Sequence, residues 1–327
     1  MKAIVTGGTG FIGSSLIEKL VAKHYQVFCI AKDEMHATDL KALGVEIVLK
    51  DINDGVYWEP LLSDADYIFH VAGVTRAKCD SDYYDGNFKA TRRIARLSAA
   101  ICRKLKRFIY VSSLTAVGPS FDEKPIEENS PYHPVSIYGK SKMLGELEVL
   151  KLKDRLPFTI LRPSGVYGPR DREMLSYISM IQKGIQPLIG FGTKWLNLIH
   201  RDDLVDGIIQ AAESTAAENE IFFLGGEKNY TTEEIGDAIA AVLHKSRLKF
   251  PLPESLVYLI GSITETVGKI SGQEVFFNRQ KVAEAVQTYW TCSVAKAKAR
   301  FGFQEKFSLQ EGMQDTCRWY RQHQWLA

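Results

Sequence analysis

The 327-residue sequence predicts an α/β fold: a doubly wound parallel sheet covered by helices on both faces, with a smaller, interleaved C-terminal lobe. Three observations predict it. Short apolar runs alternate with helical patterns through the first half of the chain. The runs are too continuous for a sheet wetted on one face. The first of them, Ala3-Ile4-Val5, opens at once into a glycine-rich turn and then an amphipathic stretch.

In chain order, that first strand leads through Thr6-Gly7-Gly8-Thr9-Gly10-Phe11-Ile12-Gly13 into a helix over 16–22. Both Gly7-x-x-Gly10-x-x-Gly13 and Gly8-x-Gly10-x-x-Gly13 fit a strand, turn and helix in which glycines permit the tight turn and let the backbone approach a pyrophosphate. Helix N–H groups then face its charge, so a dinucleotide is expected here. Further strands are read at 26–30, 45–49, 67–71, 108–112 and 158–161, with helices between them. Beyond Pro169 come a helix over 172–183, extended pieces at 186–189 and 195–199, and a helix over 202–213. The run Ile221-Phe222-Phe223-Leu224, before Gly225-Gly226, is expected to return to the main sheet, which interleaves the lobes. Helices at 232–243, 253–270 and 309–322 complete the chain. The expected division is a dinucleotide-binding unit over 1–169 with about 193–225, and a substrate-binding lobe over 170–192 with about 226–327.

Composition is that of an ordinary globular chain, 45% hydrophobic and 24% charged, and 41 basic against 39 acidic residues give no global case for a nucleic-acid partner. Cys29, Cys79, Cys102, Cys292 and Cys317 form no C-x-x-C pair, which fits a reduced, cytoplasmic compartment. The short first apolar run belongs to a strand, so no signal peptide is expected. The apolar stretch 252–270 contains Glu254, Glu265 and Lys269 and falls short of a membrane span. It could lie on a lipid surface, but the preferred reading is a substrate-lobe helix with a buried face. Arg92, Arg93, Arg96, Arg103, Lys104, Lys106 and Arg107 crowd one region and are read as a solvated or subunit-facing helix. The seven histidines form no metal-ligand motif, so no metal is expected, and His70 and His200 are read as structural.

Tyr138 and Lys142 form a Tyr-x-x-x-Lys pattern at the start of a helical stretch, and a spacing of four puts both on one face. A phenol titrates near pH 10, so acting as a base near neutrality requires its pKa to fall by about three, roughly 4 kcal/mol. An ammonium one turn away is a source of that fall. Just after the fifth strand, Ser112-Ser113-Leu114-Thr115 puts hydroxyls at the sheet's C-terminal edge, where one could donate to a carbonyl oxygen gaining charge.

Together with His70-Val71-Ala72-Gly73, Asn87-Phe88-Lys89-Ala90-Thr91, Leu161-Arg162-Pro163-Ser164-Gly165-Val166-Tyr167-Gly168-Pro169 and Ile199-His200-Arg201-Asp202-Asp203-Leu204, these motifs resemble the extended short-chain dehydrogenase/reductase family. The resemblance spans nearly the whole chain. It implies a Rossmann-type fold and a catalytic set of Ser113, Tyr138 and Lys142, with Ser113 preferred over Ser112 by its distance from Val117-Gly118. In such enzymes the tyrosine exchanges a proton with the substrate oxygen, the nicotinamide exchanges hydride with the attached carbon, and the lysine holds the nicotinamide ribose and lowers the tyrosine pKa. The resemblance also implies cofactor contacts at Gly7, Thr9, Gly10, Phe11, Ile12, Val71, Ala72, Gly73 and Pro163, adenine contacts at Asp51 and Ile52, a supporting role for Asn87, and a homodimer.

The second strand ends Ile30-Ala31-Lys32-Asp33, where a basic residue suits a 2′-phosphate and an acid suits a free ribose; Lys32 favours NADP over NAD, with Asp33 diluting that preference. Sugar-nucleotide members resembling this chain often carry an arginine for the diphosphate where Leu196 stands. Lys194 or Arg201 could compensate, while Trp195 and Leu196 suggest an apolar ligand. Leu114-Thr115 replaces the acidic pair of the dehydratases. The region from Ser112 to Pro119 and the ending from Trp319 to Leu326 look more like the 3-beta-hydroxysteroid dehydrogenase and dihydroflavonol reductase branch. The sequence is therefore read first as an NAD(P)-dependent oxidoreductase acting on a secondary alcohol or ketone, and alternatively as a nucleotide-sugar 4-epimerase using the same residues.

Overall fold

In the computed structural model, residues 1–32, 38–50, 59–271, 275 and 277–326 are described. The strands are β1 (Lys2–Thr6), β2 (Gln26–Ala31), β3 (Glu46–Leu49), β4 (Tyr67–His70), β5 (Arg107–Val111), β6 (Phe158–Pro163), β7 (Gly165–Tyr167), β8 (Ile185–Ile189), β9 (Trp195–His200), β10 (Glu220–Leu224), β11 (Asn229–Thr231), β12 (Leu248–Leu252) and β13 (Tyr289–Trp290). The helices are α1 (Phe11–Ala22), α2 (Thr38–Ala42), α3 (Glu59–Leu62), α4 (Asp80–Tyr83), α5 (Ala90–Ile101), α6 (Leu114–Val117), α7 (Ile137–Leu150), α8 (Arg172–Gln182), α9 (Arg201–Glu213), α10 (Thr232–Leu243), α11 (Glu254–Ser271), α12 (Arg279–Ala285), α13 (Ala295–Phe301) and α14 (Leu309–Gln322). A single wide turn of π-helix, Tyr84–Lys89, joins α4 to α5.

Seven strands form one parallel sheet in the order β10-β6-β5-β4-β1-β2-β3. The chain winds outward from β1 to β3, then returns to lay down β4, β5, β6 and β10 on the other side. The strand order thus reverses between β1 and β4, where an open sheet binds its ligand. Every residue of β4, β5 and β6 is buried, as expected of strands covered on both faces. Leu16, Ile17 and Leu20 of α1 with Leu204, Ile208 and Ala211 of α9 cover one face. Ile94 and Ala95 of α5, Val149 of α7 and Leu62 of α3 cover the other. Each fully buried aliphatic or phenyl side chain contributes about 1.5–3 kcal/mol, and the sheet is thereby a rigid platform.

The run read as returning to the main sheet does so: β10 pairs with β6 from Glu220 opposite Thr159 to Leu224 opposite Pro163. The strand β9 instead belongs to a second sheet with β11, β13 and β7, while α9, directly after it, packs on the main sheet. A separate pair, β8 with β12, and the helices α8, α10 and α14 build the rest of the C-terminal lobe around Tyr167, Ile178, Ile239, Met313 and Tyr320.

The expected buried face of the 253–270 helix is thin. Val257 is buried and Gly261 and Gly268 lie against the protein, but most of the aliphatic side chains of α11 are exposed. The basic region is largely paired: Arg96 with Glu148, Lys104 with Asp64, Lys106 with Asp66, and buried Arg107 with Thr159 and Glu218. Among the described residues no helix is long and apolar enough to cross a membrane.

Candidate active site

The glycine turn lies at the C-terminal end of β1. Gly7 adopts φ +72°, and a Cβ there would come within 2.6 Å of the Ala72 backbone; one on Gly13 would come within 2.1 Å of the Gly7 carbonyl oxygen. Glycine is thus required for the turn to close and for the loop after β4 to approach it. Gly10 precedes α1 with no side chain capping the helix, and no acid stands in the first turn. The open N–H groups of Phe11 and Ile12 with Thr9 beside them form a cradle suited to a pyrophosphate. Val71, Ala72 and Gly73 line the adjoining loop, and a Cβ on Gly73 would stand 3.3 Å from Lys142 Nζ. Pro163 ends β6 at the same sheet edge, and Lys32 follows the end of β2. Asp33, Asp51 and Ile52 lie outside the described residues.

Buried polar bridges hold this edge in place. His70 joins β1 to α5, with Nδ1 2.8 Å from Thr6 Oγ1 and Nε2 2.9 Å from Thr91 Oγ1. Burial, with the charge of Lys142 adding to it, pulls its pKa down to about 3, so the ring is neutral near pH 7. His200 is likewise buried and drawn down to about 4. Asn87, in the π-helical turn, accepts from Val74 N at 2.7 Å and donates to Val74 O and to Ser141 Oγ, both at 2.9 Å. It ties the loop after β4 to the helix that bears Tyr138.

Ser136 caps α7 by accepting from Gly139 N, which fixes the first turn and therefore Tyr138. Ser113 lies close enough to the Tyr138 phenol to oppose, weakly, the rise of its pKa. Ser113 caps α6 and accepts from Thr115 Oγ1 at 2.8 Å and Thr115 N at 3.2 Å. Ser112 faces away, its hydroxyl donating to Glu146 at 2.5 Å. The structure thus brings Ser113, Tyr138 and Lys142 to one edge and commits Ser112 elsewhere. Lys142 is buried, donates to Val111 O at 2.7 Å and lies over the Tyr110 ring at 4.9 Å. Burial pulls its pKa down to about 8, partly offset by Glu146.

Tyr138 is pushed up to about 12, chiefly by burial. The cation that most opposes this rise is Lys281 of α12, whose ammonium lies 3.5 Å from Glu173 and 3.7 Å from Glu284. The same short helix grips the start of α7: Gln280 accepts from Ile137 N at 2.7 Å and Glu284 from Ser136 Oγ at 2.6 Å. Sequence reasoning missed α12, since no motif links residues about 140 positions apart. It also missed the buried pair beneath the serine turn. Arg162 Nη2 meets Glu146 Oε2 at 2.7 Å, and Glu146 further accepts from Tyr132 at 2.7 Å. Arg162 and Glu146 each sit in a quoted or adjoining motif, so the signal was present without its pairing.

Neither cation named as a substitute for the diphosphate arginine is disengaged. Lys194 is bound to Glu254 at 3.2 Å and to Val286 O; Arg201 is bound to Asp202 and, at 2.7 Å, to Pro169 O. Leu196 pairs with Tyr230 across the second sheet and packs with Trp290.

The sequence profile of the NAD dependent epimerase/dehydratase family matches residues 3–225. The 2-alkyl-3-oxoalkanoate reductase of Shewanella oneidensis is 24% identical, over 95% of this chain and 84% of its own length. A UDP-glucose 4-epimerase of Vibrio cholerae is 25% identical over 98% of this chain and 95% of its own. Among solved structures, a UDP-glucuronic acid 4-epimerase from Bacillus cereus in complex with NAD superposes with a TM-score of 0.79, at 23% identity over 99% of both chains.

Proposed function

The chain belongs to the NAD dependent epimerase/dehydratase family, as an NAD-dependent enzyme of the extended short-chain dehydrogenase/reductase type, and from that premise we propose that it interconverts a secondary alcohol and a ketone through Tyr138, Lys142 and Ser113. The observation that carries this reading is the convergence of Ser113, Tyr138 and Lys142 on the sheet edge where the glycine cradle opens, with Lys142 Nζ beside Gly73. A bound nicotinamide supplies or accepts the hydride. Tyr138 stands protonated near neutrality and is equipped to give its proton to a carbonyl oxygen, which suits the reductive direction. Ser113 shares that oxygen and steadies its developing charge. Lys142, beneath Gly73, holds the cofactor ribose. Leu196 and the engaged Lys194 and Arg201 favour a substrate without a diphosphate.

In this reading residues 1–169 with about 193–225 bind the cofactor, and 170–192 with about 226–327 bind the substrate. The free cysteines fit a reduced cytoplasm. For the cofactor, Lys32 speaks for NADP and the neighbour solved with NAD speaks for NAD. Replacement K32E is expected to lower kcat/KM with NADP+ at least tenfold while sparing NAD+; equal loss with both would remove Lys32 from the choice.

The epimerase reading is supported by the Vibrio cholerae relative. The two are separated by mixing the protein and NAD+ or NADP+ with secondary alcohols, hydroxysteroids and nucleotide sugars while following reduced-nicotinamide absorbance. Multiple turnovers with an alcohol support the dehydrogenase. Conversion of a nucleotide sugar without net cofactor reduction supports the epimerase.

A further inference from the structure

We propose that α11 is a membrane-surface helix whose bare aliphatic stripe seats in a phospholipid bilayer, with the cations just before it facing the headgroups. Leu256, Leu259, Ile260, Ile263, Val267 and Ile270 are between 38% and 83% exposed. At about 100° per residue they fall within one arc of roughly 100°, apart from the face that Val257, Gly261 and Gly268 turn to the protein. The packed face is held through α12: a Cβ on Gly261 would stand 2.6 Å from Val282.

Charge is arranged as such a helix requires. Residues 255–264 carry none. Glu254 and Glu265, at either end of that span, are met by Lys194 and Arg279. Immediately upstream, Lys245-Ser246-Arg247-Leu248-Lys249-Phe250 interleaves three cations with Leu248 and Phe250, 69% and 52% exposed. Arg247 is turned inward onto Asp237 and Gln186, whereas Lys245 is exposed and Lys249, paired with Glu233, is half-exposed on a long stem that allows its head to reach a headgroup layer. Phe191, 81% exposed, follows Gly190, which lies against Glu254 at the start of the helix.

A second copy of the chain fits this stripe less well. Six half-exposed side chains offer roughly 500 Å², at the upper end of what soluble monomers leave bare. A standard protein interface needs about 800 Å² from each partner. An interfacial helix needs only one apolar face to enter the headgroup boundary.

The test is flotation of the full chain with vesicles of phosphatidylcholine and phosphatidylglycerol, using wild type, the pair L259D/I263D, and S255D, which adds a charge off the stripe. Wild type and S255D are expected to float with the vesicles, and the pair to lose at least tenfold. Far-UV circular dichroism and Tm should be unchanged in all three, since the substituted side chains are exposed. Wild type remaining with the unbound protein overturns the proposal. So does light scattering without lipid that shows an oligomer dispersed by L259D/I263D, because a second copy would then cover the stripe. Neither readout depends on the reaction.

Discussion

In the proposed reaction, Tyr138 moves the proton. Y138F keeps the ring packing and removes the proton, so turnover is expected to fall about 10²–10⁴-fold with cofactor affinity retained, measured by steady-state rates and calorimetric titration. Loss of cofactor binding together with turnover would mean the phenol is structural. Lys142 allows a check that needs no substrate. Its folded pKa is depressed from 10.5 to about 8, so between those values the unfolded chain holds a proton the folded chain has shed. Stability attributable to this group therefore rises with pH across that window, and below about 8 the full cost of its buried charge is present. K142M is expected to be more stable than wild type at pH 7 by up to about 3 kcal/mol, an advantage that shrinks from pH 8 toward 10.5. Denaturant melts at several pH values measure it, and a constant difference would show that Lys142 is solvated. The sequence displayed this residue's identity but not its surroundings. The Tyr-x-x-x-Lys spacing pointed to Lys142 as the cation acting on Tyr138, whereas its ammonium is drawn to Val111 O and Lys281 most strongly opposes the rise.

Secondary elements were legible where the pattern was local. The strand read at 26–30 forms over Gln26–Ala31, and the helix read at 309–322 forms as Leu309–Gln322, because apolar period and caps such as Ser308 with Glu311 lie within a few residues. The π-helical turn at Tyr84–Lys89 and the docking of α12 on α7 were not legible, since each depends on contacts between distant segments. That docking has a consequence: Q280A/E284A releases Ile137 N and Ser136 Oγ and is expected to lower kcat more than tenfold while cofactor affinity stays within twofold. Unchanged kcat would make α12 a bystander. The glycine turn is more exacting. G13A puts a methyl against Gly7 O and should abolish dinucleotide binding by calorimetry and lower Tm; a normal dissociation constant would show that the turn yields.

For the whole molecule, the sequence conveyed the doubly wound class through its continuous apolar runs, while strand order needed the structure. The reversal between β1 and β4 puts the glycine turn, the loop after β4 and the segment bearing Ser113 along one edge of the sheet, with Gly7 against Ala72 and Gly73 beside Lys142. The homodimer that the resemblance to the family implies would bury α7 beside the π-helical turn, where Phe88, Leu144 and Leu147 line a shared depression. Light scattering is expected to give twice the chain mass for wild type and the chain mass for L147D. A wild-type monomer would rule the dimer out. In the proposed reaction a bound nicotinamide would exchange hydride with a carbon–oxygen centre while Tyr138 moves the proton and Ser113 and Lys142 hold the oxygen and the cofactor, with net turnover. Its most direct measurement is reduced-nicotinamide absorbance on mixing wild type or Y138F with cofactor and the panel of secondary alcohols and nucleotide sugars. More than one equivalent of reduced cofactor per protein is expected with an alcohol and is expected to be lost in Y138F; a nucleotide sugar epimerised with no net reduction, together with silence with every alcohol, would overturn the dehydrogenase reading.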